Sequence, residues 1–365
     1  MRRPAATGPI VVKIGSSSLT GGGSGLDHDS VRRVVSQVAA VWRSGRPAAL
    51  VSSGAVAAGM TALRLPSRPR DIPGLQVAAA VGQGRLMERY TAEFEAEGMI
   101  SGQVLLTRDV LANRGQYLHA REAFERMLGM GVVPVVNEND TVVVDELSFG
   151  DNDRLAAIVA HLVGAAMLVI LTDTGGLYSG DPRIDDEALL LDAVRHTDEV
   201  LDGIERGRAG PVGSGGVATK VAAARMAAWS GIPTVIAAAS EPAVVQRAAA
   251  GDPVGTWIEP RSSGLSSRKL WIAFGLPSRG RVSVDDGAVR ALVQGGRSLL
   301  AVGVTAVEGS FDEGDAVEIV GPDGRVIGKG RAAIGSAEAA AGAGRHSEEV
   351  GGEVVHRDDL VVFAG

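Results

Sequence analysis

The sequence predicts an α/β fold with a mainly parallel central sheet, followed by a small β-rich domain. From Ile10 to about Ala239, short β-branched runs alternate with longer helical patterns, which is typical of successive βαβ units. Around residues 251–280 the composition shifts to Gly, Pro and Ser, which indicates a boundary. Beyond it the apolar runs are short and separated by turn residues, as in small β domains.

Composition narrows the class of protein. At roughly 150 residues per domain, a chain of 365 residues is expected to form two domains. Its 45% hydrophobic and 22% charged residues are typical of a folded globular protein, and its net charge of −7 does not favour nucleic acid or anionic membranes as partners. The lack of cysteine excludes disulfides and Cys-ligated metals. Apolar runs are too short for a signal or membrane segment, so we expect a cytoplasmic enzyme or binding protein.

The first three elements are predicted by separate patterns. The apolar run Ile10–Ile14 predicts a strand. After a capping segment at Asp27–Ser30, apolar residues recur at i, i+3 and i+4 spacing from Val31 to Trp42, which predicts an amphipathic helix that stops at Gly45. A second strand is predicted at Ala48–Val51.

The same alternation predicts the later elements of the first part. In order they are a helix at Asp71–Glu97, a strand at Gln103–Leu106, a helix at Asn113–Leu128, a strand at Val132–Val136, a hairpin-like segment, a helix at Asp153–Leu162, a strand at Met167–Leu171, a helix at Val217–Trp229 and a strand at Thr234–Ala238.

These patterns divide the chain into a first domain at residues 1–260, a linker at 261–277, a second domain at 278–357 and a tail at 358–365. One low-complexity stretch, Ala337–Gly344, is expected to be a loop or a loosely packed helix end.

Polar residues follow the first two predicted strands. Lys13 lies near the end of the first strand, before Gly15 and three serines, and this end of a parallel sheet is where ligands gather. Small residues with a lysine suit a phosphate group, although a strand lysine can also be an edge or surface residue. Ser53 follows the second strand and can hold an anion or simply cap a helix; taken alone, the cap interpretation is preferred.

The densest polar segment follows the strand Val132–Val136. It comprises residues 137–140, which read NEND, and residues 149–153, which read FGDND and begin a helix. Asn and Asp are common in turns and caps. Because NEND directly follows an apolar strand, we expect it at the ligand-binding edge, where amides and carboxylates suit a small zwitterion.

Two further polar segments complete the pattern. Thr172 and Asp173 follow another strand, and the glycine-rich residues 213–216 lead into a helix that carries Lys220, as in a phosphate-binding loop. One such loop is weak evidence, but five polar strand ends in one domain favour a common ligand site. No His pair has metal-ligand spacing, and no G-x-S-x-G motif is present.

Taken together, the motifs resemble the amino acid kinase family over nearly the whole chain. In order they read VVKIGSS, VSSGAVAAG, AAAVGQGRL, PVVNENDTV, FGDND, LTDTGGLY, DPR and GSGGVATK. NEND followed by GDND is similar to the members that act on glutamate, and the C-terminal domain resembles a PUA domain. The resemblance implies a three-layer sandwich for the first domain.

The resemblance also implies an activity. ATP, with Mg2+, would phosphorylate the side-chain carboxylate of L-glutamate to give L-glutamyl 5-phosphate, the first step of proline biosynthesis. Proline would act as a feedback inhibitor, and the chain would assemble as a dimer or tetramer.

Site residues are likewise implied by the resemblance. Lys13, Asp153 and Lys220 would be catalytic, with both lysines on ATP phosphates and Asp153 orienting them. Glutamate ligands would be Ser53, Asp140 and Asn152. The ATP site would comprise Lys13, Gly15, Thr172, Asp173, Ser214, Gly215, Gly216, Val217, Ala218, Thr219 and Lys220. No protein metal ligand is expected, since Mg2+ usually binds through nucleotide oxygens.

Three alternatives stay open from the sequence. The chain could phosphorylate N-acetylglutamate, aspartate or a nucleoside monophosphate; it could be an RNA-binding factor built around the PUA-like domain; or it could be a catalytically silent amino-acid sensor. Residues 279–357 carry nine Lys and Arg against twelve Asp and Glu, a net charge of −3. An RNA-binding face is normally basic, so RNA binding is not expected.

Overall fold

A computed structural model describes residues 7–23, 25–107, 110, 113–142, 152–182, 185–206, 216–262, 264–345 and 352–363. The chain divides into two compact units, Met1–Gly264 and Leu265–Gly365. The division falls inside the segment 261–277 that the sequence assigns to a linker.

Within its described residues, the first unit contains eight strands, nine α-helices and a 3-10 turn at Asp140–Val142. The strands are β1 (Ile10–Ile14), β2 (Ala48–Val51), β3 (Ile100–Leu106), β4 (Val132–Glu138), β5 (Met167–Thr172), β6 (Ala193–Arg195), β7 (Thr234–Ala238) and β8 (Thr256–Glu259). The helices are α1 (Ser16–Thr20), α2 (His28–Arg43), α3 (Ala55–Leu63), α4 (Ile72–Ala96), α5 (Arg114–Gly129), α6 (Asn152–Leu162), α7 (Glu199–Arg206), α8 (Val217–Trp229) and α9 (Val244–Ala250).

The eight strands form one sheet in the order β3-β4-β2-β1-β5-β7-β8-β6. The six strands from β3 to β7 in this order are parallel, whereas β8 runs antiparallel to β7 and β6 runs parallel to β8. The prediction of a mainly parallel sheet is therefore confirmed. Helices α2, α4 and α9 pack together against one face, and α5, α6 and α8 against the other, which gives three layers.

Strand β1 lies in the middle of the sheet, and all five of its residues are buried. Side chains alternate between the two faces of a strand. Ile10, Val12 and Ile14 join the apolar core beneath α2, α4 and α9. Lys13 therefore points to the opposite face, where α6 packs against β1. The apolar side chains on one face of β1 pack in the core. Lys13, between two of them in the sequence, is therefore buried on the other face.

Polar caps explain the helix starts that the sequence predicts one residue early. Asp71 lies before α4 and accepts a hydrogen bond from the Gly74 N–H at 2.9 Å. Asn113 caps α5 in the same way, accepting from the Gln116 N–H at 3.0 Å. Each cap satisfies an amide that the helix itself leaves unpaired.

In its described part, the second unit contains one six-stranded sheet, three α-helices and a 3-10 turn at Ala301–Gly303. The strands are β9 (Ser278–Val284), β10 (Leu299–Leu300), β11 (Val304–Gly309), β12 (Ala316–Val320), β13 (Val326–Ala332) and β14 (Glu353–Val362), in the order β10-β14-β13-β12-β9-β11. The helices are α10 (Ser267–Leu270), continued by a π turn at Trp271–Gly275, α11 (Asp286–Val293) and α12 (Ser336–Gly342).

Three boundaries differ from those expected. Asp358–Val362, which the sequence analysis places in a C-terminal tail, belong to β14 and bury Leu360 and Val361 in the core of the second unit. Within the expected linker, α10 and the π turn bury Leu270 and Ile272. The low-complexity stretch forms α12, whose Ala339 is fully buried in the same core. No helix among the described residues is long and apolar enough to cross a membrane.

Candidate active site

The site lies at the carboxyl ends of β1, β2, β4 and β5. Register places Lys13 of β1 between Val51 of β2 and Ile170 of β5, so these strands end at the same edge. The turn from β2 into α3 passes through Gly54, whose φ of 100° suits glycine because a side chain would be strained there. Small polar residues at this turn bring backbone and hydroxyl groups to the edge of the sheet.

Asp153, in the first turn of α6, holds two lysines together. The Lys13 ammonium forms an ion pair with Asp153 Oδ1, and Lys220 Nζ lies 3.4 Å from Asp153 Oδ2. Thr219 donates a hydrogen bond from its hydroxyl to Asp153 Oδ2 at 2.7 Å. Asp153 is 1% exposed, so this cluster is withdrawn from water. Of the three residues that the sequence analysis names as catalytic, Asp153 therefore contacts both Lys13 and Lys220.

The charge state of Asp153 follows from these contacts. Burial alone would raise its pKa, but the charges of Lys13 and Lys220 and the hydrogen bonds from Lys13 and Thr219 outweigh burial and hold the pKa below its usual value. Asp153 is thus an anion at neutral pH, and it holds both ammonium groups at one end of the sheet.

Beside this cluster lies a polar pocket, which we call the acceptor pocket. Its described lining comprises Ser16, Ser53, Gly54, Ala55, Val56, Ala57, Arg68, Asn137, Asp140 and Asn152. The expected glutamate ligands Ser53, Asp140 and Asn152 all face it, and all three are buried. Whether they bind glutamate stays a prediction.

Hydrogen bonds fix the orientation of the Asn152 amide in this pocket. Its Nδ2 donates to the Ser52 carbonyl at 2.8 Å, to Asn137 Oδ1 at 2.9 Å and to Ser53 Oγ at 3.1 Å. Because the Ser52 carbonyl and Asn137 Oδ1 can only accept, Nδ2 must face them and Oδ1 must face away. Within the described part of the chain, Asn152 Oδ1 is buried without a hydrogen-bond donor. Asn152 therefore presents a hydrogen-bond acceptor.

Residues behind the pocket hold these partners in place. Asn137 Nδ2 donates to Gln83 Oε1 at 2.6 Å, which directs Asn137 Oδ1 toward Asn152. The Ser52 hydroxyl donates to the Ser53 carbonyl at 2.9 Å, so the buried Tyr90 hydroxyl, 2.7 Å away, is the donor to Ser52. Helix α4 carries both Gln83 and Tyr90 and so supports the pocket from outside.

Asp140 is the acidic side chain of the acceptor pocket. Burial raises its pKa to about 6, against the opposing effect of the positive charge on Arg68. Its Oδ1 atom is also buried without a hydrogen-bond donor among the described residues. Asp140 and Asn152 therefore offer two acceptor oxygens to a ligand, an arrangement that suits an ammonium group.

The expected nucleotide residues lie at the ends of β5 and β1 and at the start of α8. Thr172 is the last residue of β5, and its hydroxyl donates to Asp173 at 3.0 Å. Gly216 precedes α8 without a side-chain cap, so the first-turn N–H groups of Val217 and Ala218 face toward the position of an anion, whereas the Thr219 N–H donates to the Gly216 carbonyl at 3.2 Å. Gly15 follows β1 directly. Ser214 and Gly215 lie outside the described residues.

Sequence reasoning missed Arg68, Gln83 and Tyr90. Gln83 is 54 positions before its partner Asn137, so no local pattern links the two. Arg68 lies in a polar, proline-containing connector whose sequence is typical of an exposed turn. Asn137 was singled out within the NEND motif, but its part in orienting Asn152 depends on tertiary contacts.

Two family models match the chain. The amino acid kinase family model matches residues 8–238, and the PUA domain model matches residues 280–353. The matched segments fall in the two separate units.

Curated relatives match over almost the whole chain. Glutamate 5-kinase from Marinomonas sp. (strain MWYL1) is 46% identical over 362 residues, covering 97% of this chain and 97% of the relative. Glutamate 5-kinase from Trichlorobacter lovleyi is 45% identical over 362 residues, covering 97% and 96%, and that from Pseudomonas fluorescens is 45% identical over 360 residues, covering 96% and 97%.

Proposed function

The chain belongs to the amino acid kinase family, and we propose that it transfers the terminal phosphoryl group of ATP to the side-chain carboxylate of L-glutamate. The product is L-glutamyl 5-phosphate, and the reaction is the first step of proline biosynthesis. The chain is a glutamate kinase that carries a PUA domain at its C-terminal end.

One structural observation supports the proposal most directly. Two lysines contact Asp153 at the edge of the sheet, next to a pocket with two acceptor oxygens. An ammonium group of a substrate fits the acceptors, and phosphates fit the lysines. This combination suits the meeting of an amino acid with a polyphosphate.

The chemistry needs charge neutralisation more than proton transfer. A side-chain carboxylate with a pKa near ~4.3 is already ionised at neutral pH, so it needs no general base. One of its oxygens forms a bond to the γ-phosphorus of ATP, and the bond from that phosphorus to the β–γ bridging oxygen breaks, so the electron pair leaves with ADP. Two anions must approach each other, and cations that neutralise both lower the barrier.

Each site residue has a role in this proposal. Lys13 and Lys220 bind the phosphates and the transferred group, Asp153 orients the two lysines, and Ser53, Asp140 and Asn152 bind glutamate. Gly15, Thr172, Asp173 and the start of α8 from Gly216 bind the nucleotide, joined by Ser214 and Gly215.

Magnesium enters the proposal as part of the co-substrate, Mg·ATP. Among the described residues, no group of three or more His, Cys, Asp or Glu side chains is placed to hold a metal ion. Asp153 already forms ion pairs with Lys13 and Lys220, the two lysines proposed to bind the phosphates. We propose that Mg2+ binds through the oxygens of the nucleotide, as it usually does.

A hydroxylamine-trapping assay tests the activity. With ATP and L-glutamate the protein should form a hydroxamate from the acyl phosphate, and it should form much less with N-acetylglutamate or aspartate. A hydroxamate from either of those acids, and none from L-glutamate, would replace the substrate assignment. No product from any acid, with ATP binding intact, would favour the silent sensor.

Feedback by proline is a further part of the proposal. Proline carries the same α-ammonium and α-carboxylate pattern as glutamate, so it can compete for groups that recognise that pattern. Added L-proline should lower the rate of hydroxamate formation, whereas D-proline at the same concentration serves as the matched control.

A further inference from the structure

Arg68 occupies an unusual place beside the acceptor pocket. It lies in residues 64–71, the connector between α3 and α4, where it is exposed as a residue but lines the pocket together with Asp140 and Asn152. Burial lowers the pKa of its guanidinium and the charge of Asp140 opposes that effect, so the charged head lies partly within the pocket wall.

The acceptor pocket contains both unsatisfied hydrogen-bond acceptors and a cationic side chain. Asn152 and Asp140 both offer unsatisfied acceptor oxygens, and the Asn152 amide cannot reverse without turning Oδ1 toward the Ser52 carbonyl and Asn137 Oδ1, neither of which can donate. Arg68 is the cationic side chain among the described lining residues. Lys13 and Lys220 meet Asp153 in the neighbouring cluster.

An L-amino acid carries an ammonium and a carboxylate on the same carbon. A ligand whose ammonium is bound by Asp140 and Asn152 must place its α-carboxylate in the same pocket. That carboxylate needs a cation or N–H donors, because burying it unpaired is costly. A guanidinium is well suited, since its planar N–H fork matches a carboxylate.

We propose that Arg68 is a specificity residue that binds the α-carboxylate of the amino-acid substrate. The proposal rests on the proposed function, because it assumes that glutamate occupies the acceptor pocket. It separates two tasks: Arg68 recognises the α-carboxylate, whereas the Lys13–Asp153–Lys220 cluster meets the side-chain carboxylate and the phosphates. Arg68 contacts no reacting atom, so it should affect substrate affinity more than turnover.

The test compares L-glutamate with L-isoglutamine in the full-length protein. L-isoglutamine keeps the ammonium and the side-chain carboxylate but has a neutral amide in place of the α-carboxylate. Its affinity is measured by competition against L-glutamate in the hydroxamate assay, so its own turnover is not required. The variants are Arg68→Gln and Arg68→Lys, and Arg70→Gln is the matched control, because Arg70 is an exposed arginine of the same connector outside the pocket lining.

For Arg68→Gln we expect the KM for L-glutamate to rise about 10- to 100-fold with kcat within about threefold, since a charge-assisted hydrogen bond is lost. The inhibition constant of L-isoglutamine should change little, so the preference for L-glutamate should fall by the same factor. The KM of Arg68→Lys for L-glutamate should lie between those of the wild type and Arg68→Gln. The KM of Arg70→Gln should match that of the wild type.

Equal losses for both compounds would overturn the proposal, because Arg68 would then act only through the charge of Asp140. Unchanged constants for both would overturn it as well. In either case the wild type still phosphorylates L-glutamate, so the failure of this inference is distinct from the failure of the proposed function, in which the wild type would not.

Discussion

At the scale of the residue, the buried Lys13–Asp153 contact explains a lysine in the centre of a sheet. Lys13 is 3% exposed, and burying an ammonium group without a partner would be strongly unfavourable. Asp153 on α6 supplies the opposite charge, and Thr219 and Lys220 of α8 complete its contacts. Such a buried pair adds little net stability. Its presence at the edge where we propose that ligands bind is better explained by function.

The first prediction concerns Lys13. We expect Lys13→Ala to lower kcat by about 100-fold or more and to leave the KM for glutamate within about threefold, since the ammonium acts where charge develops in the transition state. Initial rates of hydroxamate formation measure both constants. Lys269→Ala, a lysine of the second unit, is the control. Unchanged turnover in a folded Lys13→Ala protein would contradict the assigned role.

A second prediction concerns the pH dependence of stability. The pKa of Asp140 rises from its ordinary 3.8 to about 6 in the folded state. The folded protein therefore binds this proton more tightly than the unfolded chain does. The stability that the protonated form provides is complete below about pH 4 and is lost as pH rises through about 6.

The substitution Asp140→Asn removes this pH-dependent loss of stability. Relative to the wild type, the substrate-free variant should gain about 1–3 kcal/mol of unfolding free energy on going from pH 4 to pH 7.5. Urea unfolding of both proteins at the two pH values measures the change. An equal difference between variant and wild type at both pH values would show that Asp140 ionises in the folded protein as readily as in the unfolded chain.

The site residues that could be predicted from sequence are those close to the end of a strand. Lys13 lies near the end of β1, and Ser53 and Asp140 each come two residues after a strand, so topology alone brings them to one edge. Gln83 and Tyr90 act from the interior of α4, and Arg68 acts from a connector, so only the packed structure reveals them.

At the scale of the element, two glycines set the contact between α3 and α4. A Cβ atom on Gly59 would lie 1.7 Å from the Ala78 carbonyl oxygen, and one on Gly82 would lie 1.8 Å from the Ala55 carbonyl oxygen. The two helices therefore pack with their backbones in contact. This contact holds the Ser53 turn, which precedes α3, against the helix that carries Gln83 and Tyr90.

The third prediction tests this contact with a matched pair. Gly82→Ala should destabilise the protein by about 3 kcal/mol or more, because the methyl group meets backbone that cannot move aside. Gly84→Ala, two positions along the same helix with open space around it, should stabilise the protein by about 0.5–1 kcal/mol. Urea unfolding measures both, and similar effects of the two substitutions would contradict the proposed packing.

Element prediction succeeded where the local pattern was strong and failed where tertiary pairing decides. β1, β2 and β7 have the predicted bounds, since each is a short, mainly apolar run. β3 begins at Ile100 rather than Gln103, because pairing with β4 extends it through Ser101 and Gly102. The three-residue β6 has no sequence pattern of its own and depends on pairing with β8.

At the scale of the whole molecule, the second unit differs in net charge from a typical RNA-binding surface, which is basic. Its sheet encloses an apolar core around Phe311, Val317 and Val355, which gives the PUA-like unit a stable interior. The net charge of −3 over residues 279–357 gives it no general attraction for phosphates.

The fourth prediction follows from this charge. In a filter-binding titration at physiological salt, the full-length protein should bind RNA no more tightly than about 10⁻⁴ M, the weak end of nonspecific affinity. A known RNA-binding protein on the same RNA serves as the positive control. Micromolar binding that weakens steeply with added salt would contradict the prediction and assign the second unit a nucleic-acid role.

The backbone contact of α3 with α4 also bears on how such a protein can diversify. Both ends of the connector 64–71 are anchored by helices that cannot slide past one another. A substitution in the connector can therefore alter the proposed contact of Arg68 while the scaffold beneath it stays constant. New preferences among amino-acid ligands can arise in this short stretch without rebuilding the machinery that handles the nucleotide.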